Sequence, residues 1–194
     1  MQKIIDNIKI IKKLLLAVAI VLPFAVFADQ HLAKDFGTWA LNMLFLSLII
    51  GPLGKIFKNK FMDFMMLIRG EIGILMASFA LSHGVSILSN PLLQSLLMSA
   101  NFVDMFTKYL ALTMGMTALL LTIPLLITSN IYLKDKMGVW WFRMHKLAYA
   151  IFIIGALHSV FIEEISIESA VESLTYIVPY VLILIAAKIW GKKK

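Results

Sequence analysis

The chain has 194 residues, of which 61% are hydrophobic and only 15% charged, and its mean hydropathy is +0.91. That is too apolar for a water-exposed surface, so a soluble globular domain is excluded and a polytopic membrane protein is the expected class. The net charge of +7 gathers at the ends of apolar runs rather than on one face. It reads as membrane topology and not as a nucleic-acid surface.

About 20 apolar residues are needed to cross the hydrocarbon core. The first candidate is Ile10–Phe27, preceded by Lys3, Lys9, Lys12 and Lys13. Val26-Phe27-Ala28 also resembles a signal-peptidase site, so a cleaved signal stands beside the favoured reading of a retained helix. After a polar loop at Asp29–Asp35, the second span is expected over Thr38–Ile56, stopped near Gly51-Pro52. Lys55, Lys58, Lys60 and Arg69 mark a basic loop, with Phe61–Ile68 lying at the interface. The third span is expected over Glu71–Leu88 and ends at Asn90-Pro91. The next loop carries Asp104 and Lys108, and the fourth span is Tyr109–Thr128 with a kink at Pro124. Lys134, Asp135, Lys136 and Arg143 lead into the fifth span, Phe142–Ile162. An acidic loop with Glu163, Glu164, Glu168 and Glu172 separates it from the sixth, Leu174–Trp190, which ends in the tail Lys192–Lys194.

Basic and neutral-to-acidic loops alternate. The predicted fold is therefore an all-α integral membrane protein, a six-transmembrane-helix bundle with both termini cytoplasmic. Its divisions are 1–35 (first helix and outer loop), 36–162 (the core) and 163–194 (acidic loop and last helix). No long repeat, linker or glycine-rich nucleotide fingerprint is seen.

Four histidines carry the chemistry. His31, in a loop, reads as solvated. His83 lies about 21 Å along its span from Arg69, and His158 about 22 Å from Arg143. Their spans run in the same direction, so the two imidazoles sit at matching depth. Buried ionisable side chains in a span need a partner or a function. Two neutral imidazoles at one level suit a low-spin heme, each giving one ring nitrogen to iron. Gly84 and Gly155 are the residues expected to admit a flat macrocycle. The alternative is that each ring bonds a carbonyl or hydroxyl on a neighbouring helix. The absence of cysteine excludes disulfides, iron–sulfur clusters held by cysteine and covalent heme attachment.

His145 lies about 20 Å nearer the cytoplasm than His158 on the same helix. It has no histidine at the facing level, where Arg69, Gly70 and Glu71 stand. A second heme with an unknown ligand, a flavin (FMN) or quinone site, and a plain interfacial histidine all remain open for it. Arg69 and Arg143 have the chemistry to hold heme propionates or a phosphate and fit equally as topology determinants. Met114 and Met116 read as packing rather than ligands.

Three phrases bear a likeness. They are Gly37-Thr-Trp-Ala-Leu41 with Leu46-Ser-Leu-Ile-Ile-Gly-Pro-Leu53, then Arg69-Gly-Glu-Ile-Gly-Ile74 leading to Ala80-Leu-Ser-His83, and Trp141-Phe-Arg-Met-His145 leading to Ala156-Leu-His158. Together they resemble the ferric reductase-like transmembrane family from about Phe36 to Phe161. Within it they are most similar to the heme-binding membrane subunits of bacterial periplasmic methionine sulfoxide reductase systems. The resemblance implies b-type heme at His83, His145 and His158. It implies electron transfer across the inner membrane from a cytoplasmic flavin reductase or membrane quinol to a periplasmic molybdopterin reductase subunit. A substrate site of its own is not implied. Larger family members have two histidine pairs and a soluble flavin–NADPH domain, which this chain lacks. Rival readings are a stand-alone ferric or other metal reductase subunit, and a heme-free transporter or channel whose histidines bind protons or metal.

Overall fold

The computed structural model describes residues 2–21, 24, 32–91, 94–95, 98, 109–162 and 167–190. Its helices are α1 (Gln2–Val21), α2 (Leu32–Ile56), α3 (Lys60–Leu88), α4 (Leu110–Ile127), α5 (Ile131–Met137), α6 (Val139–Met144), α7 (Leu147–Ile162) and α8 (Ile167–Trp190). Among the described residues four segments are long and apolar enough to cross a membrane: α2, α3, α4 and the joined α6–α7 segment Val139–Ile162. α8 adds a shorter apolar stretch, Ile177–Ile189.

Several boundaries differ from expectation. α1 begins at Gln2 rather than Ile10, and α8 begins at Ile167 rather than Leu174, so Glu168 and Glu172, expected in the acidic loop, lie within the helix. The interfacial segment Phe61–Ile68 anticipated before Glu71 is helix, because α3 begins at Lys60, and only residues 57–59 separate it from α2. The Asn59 side chain caps its first turn by accepting from the Met62 N–H at 2.9 Å, and no proline follows to break it. The charges at Lys60, Asp63 and Arg69 therefore lie along a helix of about 44 Å, longer than the hydrocarbon core. α2 starts at Leu32, six residues before the expected position, and runs through Pro52 to Ile56. Proline lacks only one donor, so near the end of a helix it is accommodated.

α2 packs on α3 and α4 on α7, each as an antiparallel pair, with α1 against α3 and α8 against α2 and α7. Three apolar rungs fill the bundle. Phe36, Leu75 and Phe79 form one with Ala19. Leu44, Met76, Leu125, Ile151 and Phe152 form the second with Tyr180. Ile50, Met62, Ile68 and Ile72 form the third. Residues such as Ile153 and Leu182 point outward and exposed, which is stable only where the solvent is lipid. Hydroxyls of Thr117, Thr122 and Thr128 bond carbonyls one turn back. No polar hydrogen is left to face hydrocarbon there.

Candidate functional site: a histidine pair in the bundle

His83 from α3 and His158 from α7 meet in the first-rung half of the bundle. Their ring centres are 6.2 Å apart and the planes are inclined at 70°. The matched depths inferred from residue rise are therefore matched positions in space.

Each ring is held in the same way. His83 Nδ1 lies 2.7 Å from the Ala33 carbonyl oxygen, and His158 Nδ1 lies 2.7 Å from that of Ala111. A carbonyl only accepts, so both Nδ1 atoms carry the hydrogen. Nε2 on each ring is then the unprotonated nitrogen, and neither bonds a described residue.

Four residues after each carbonyl stands a glycine. A Cβ on Gly37 would come 3.0 Å from His83 Nδ1, and one on Gly115 only 2.8 Å from His158 Cε1. Ala33…Gly37 on α2 and Ala111…Gly115 on α4 are thus one device used twice. It is a bare helix turn that receives an imidazole and offers it a carbonyl. The sequence shows these as two small-xxx-small pairs, the signal that could have found them. Gly84 and Gly155, the glycines expected to admit a macrocycle, both line the cavity beside the pair. The space above Gly84 is taken by Leu119, whose Cδ2 would lie 2.5 Å from an added Cβ, while Gly155 has only ordinary contact with Leu41 at 3.6 Å.

The cavity measures about 490 Å³ and is lined by apolar side chains including Leu41, Leu44, Met76, Met116 and Leu119. Its polar lining is confined to Lys34, Thr38, Thr122, Ser159 and the two histidines. A largely apolar chamber with a few placed polar groups is the usual form of a cofactor site, and the volume lies within the ~300–1,000 Å³ of such sites. Two imidazoles sharing one metal through ring nitrogens about 2 Å away have ring centres roughly 6 Å apart, as here. Nδ1–H bonds to carbonyls are the usual outer partners of metal-binding histidines. The residues present fit a metal-bearing cofactor, which His83 and His158 would hold. Among the described residues no three His, Cys, Asp or Glu side chains converge, so the pair stands alone rather than as part of a larger protein cage.

The other sequence-derived candidates lie elsewhere. Arg69 lines a different groove. Arg143 stacks over the Trp140 ring, 4.9 Å from its centre. Neither lines the histidine cavity, and Lys34 is the cation that does. His145 faces α4: its Nε2 is 3.2 Å from Thr128 Oγ1 and the Trp141 ring stacks on it at 3.8 Å. The Arg69 charge also acts on it. The turn at His145–Lys146, where Lys146, Ala148 and Tyr149 donate three residues back, is the irregularity between α6 and α7. It does not bring His145 to the His158 cavity. Met116 lines the cavity and Met114 does not. His31 lies outside the described residues.

The indole N–H of Trp141 donates to the Thr128 carbonyl at 2.7 Å, one that the helix end leaves free. Trp141→Phe is expected to cost about 0.5–1.5 kcal/mol of stability and to loosen His145. Thermal unfolding in detergent measures it.

These features define a multi-pass helical membrane protein built around an intramembrane histidine pair. The family model described as "Ferric reductase like transmembrane component" matches residues 36–156, and the chain belongs to that family. Among curated relatives it is 34% identical over 134 residues to the protein-methionine-sulfoxide reductase heme-binding subunit MsrQ of Rhizobium meliloti, covering 69% of this chain and 57% of the relative. The same-named proteins of Agrobacterium fabrum (31% over 131 residues, 66% and 58%) and Brucella anthropi (33% over 124 residues, 64% and 53%) are similar to a like degree. The chain spans a little over half the length of these relatives.

Proposed function

We propose that this protein is a b-type heme subunit that carries electrons across a bacterial inner membrane. The observation that carries the reading is the histidine pair: two Nδ1-anchored rings 6.2 Å apart, each with a lone-pair Nε2, at one apolar cavity. When bound, heme supplies a one-electron iron couple. The protein's part is to hold and insulate. His83 and His158 would hold the iron through their Nε2 nitrogens. The carbonyls of Ala33 and Ala111 keep both rings in one tautomer and add basicity to Nε2. Leu41, Met76 and Leu119 keep water from the chamber. Lys34, rather than Arg69 or Arg143, is the cation placed in the cavity lining to meet an acid group at the rim.

In this reading α1 and α8 complete six spans with both termini cytoplasmic. Electrons enter on the His145 side from a cytoplasmic flavin reductase or membrane quinol. They leave near the histidine pair to a methionine sulfoxide reductase, the partner that the relatives' names suggest, in this reading a periplasmic molybdopterin enzyme. A second heme, FMN or quinone at His145 would lie on the donor side.

The test is an absorption spectrum of the purified protein, oxidised and then dithionite-reduced. A low-spin b-type spectrum is expected, and His83→Ala and His158→Ala should each abolish it. A full spectrum in the double variant would overturn the assignment.

A further inference from the structure

At the end of the bundle opposite the histidine pair, α2, α3, α7 and α8 leave a second and larger groove of about 960 Å³. Its walls are apolar, with Leu48, Met66, Leu67, Leu184 and Ala187 among them. Three cations stand in the same lining: Lys55 at the end of α2, Arg69 on α3 and Lys188 at the end of α8. One carboxylate, Asp63, accompanies them, so three positive charges less one negative leaves a surplus of two. None of the three cations forms an ion pair with a described carboxylate. The Arg69 guanidinium is seated against bare backbone, since a Cβ on Gly51 would come 3.0 Å from its Nη1.

Uncompensated cations beside a hydrocarbon wall are costly unless an anion joins them. The anion must suit a planar guanidinium and two ammonium groups, and its attached body must suit an apolar groove between membrane helices. A phosphate ester with an apolar tail meets both demands, and basic pockets between membrane helices are where anionic headgroups settle. We propose that this groove binds an anionic phospholipid. Its phosphate lies among Lys55, Arg69 and Lys188, and its acyl chain lies along Leu48, Met66 and Leu184. The lipid then joins α8 to the α2–α3 pair, whose direct contact with α8 comes from α2.

The experiment uses the full chain, delipidated in a neutral detergent. Phosphatidylglycerol, phosphatidylcholine, inorganic phosphate or FMN is added, and the thermal midpoint is followed. Phosphatidylglycerol is expected to raise the midpoint by several degrees and phosphatidylcholine much less. The triple variant Lys55→Gln/Arg69→Gln/Lys188→Gln is expected to lose that difference. Lys188→Gln alone, at the exposed end of α8, should lose part of it and serves if the triple variant does not fold. Equal shifts from both lipids, or a phosphatidylglycerol shift that survives in the variants, would overturn the proposal. So would a shift of the same size from phosphate or FMN without lipid, which would make the groove a soluble-phosphate site. The heme spectrum is read in the same samples, so failure of the histidine-pair reading is seen separately.

Discussion

Gly115→Ala is expected to weaken cofactor retention on the order of tenfold while leaving the helices formed. The added methyl would lie 2.8 Å from His158 Cε1, closer than real Cβ atoms come, and 3.1 Å from Nδ1 and 3.3 Å from Nε2, tighter than most Cβ contacts. The methyl is fixed to α4, and the ring is already drawn onto the same helix by the Ala111 carbonyl. The ring must therefore turn away, which breaks its 2.7 Å hydrogen bond and re-aims Nε2. Overpacking of this kind costs about 1–3 kcal/mol, and about 1.4 kcal/mol is a tenfold change in binding. Gly37→Ala meets His83 at 3.0 and 3.1 Å and should act in the same direction, less strongly. Gly73→Ala is the control, since nothing lies within 4 Å of its new methyl and alanine is the better helix former. The heme-to-protein ratio from the absorption spectrum is the readout. An undiminished ratio in Gly115→Ala would show that the ring is not held as described.

The contrast among these glycines shows what a sequence can display. The pairing of His83 with His158 was legible because helix rise is constant: nearly equal residue counts from Arg69 and Arg143, 14 and 15, become nearly equal depths. The same rise already put both arginines about 21 Å from the pair, too far for direct contact with a group held there. The choice of those two residues followed charge type and set distance aside. The cradles were not legible because they act between helices. Gly84 and Gly155 are neighbours of the histidines along the chain, whereas Gly37 and Gly115 are neighbours across a helix contact, and alanine–xxx–glycine pairs are common in membrane helices for packing alone. Lys34 reads from the sequence as part of the polar loop Asp29–Asp35, before the span expected from Thr38, whereas the helix that carries it begins at Leu32. The segment Phe61–Ile68 read as an interfacial piece since lysines flank it. Charge marks where a membrane ends and not where a helix does; the Asn59 cap marks the helix.

Lys12→Met is expected to destabilise the protein more than Glu71→Gln, although both remove the same ion pair. Lys12 Nζ lies 3.0 Å from Glu71 Oε1, and the two side chains are 36% and 14% exposed. Glu71 Oε2 is buried without a hydrogen-bond partner. Losing the lysine leaves a buried carboxylate with neither oxygen compensated. Losing the carboxylate leaves a lysine whose long stem can carry its charge outward. Breaking a buried pair costs ~3–5 kcal/mol. Lys12 is a third exposed, which puts Lys12→Met at or below the lower end of that range. The double variant Lys12→Met/Glu71→Gln should recover much of the loss, because the uncompensated charge is gone. Thermal midpoints of the four proteins in detergent give the cycle. Equal single losses, or a double loss equal to their sum, would refute the asymmetry. The result bears on α1 as a whole. α1 is fastened to α3 by this pair, by the Ser78 hydroxyl donating to the Ala19 carbonyl and by Ala19 in the first rung. A chain cut after Ala28 would leave Glu71 unpaired and Ser78 without its acceptor. A retained helix is the arrangement in which Glu71 keeps its ion pair and Ser78 its acceptor. If Lys12→Met proves costly, the first helix belongs to the working bundle and is not only a signal that brings the chain to the membrane.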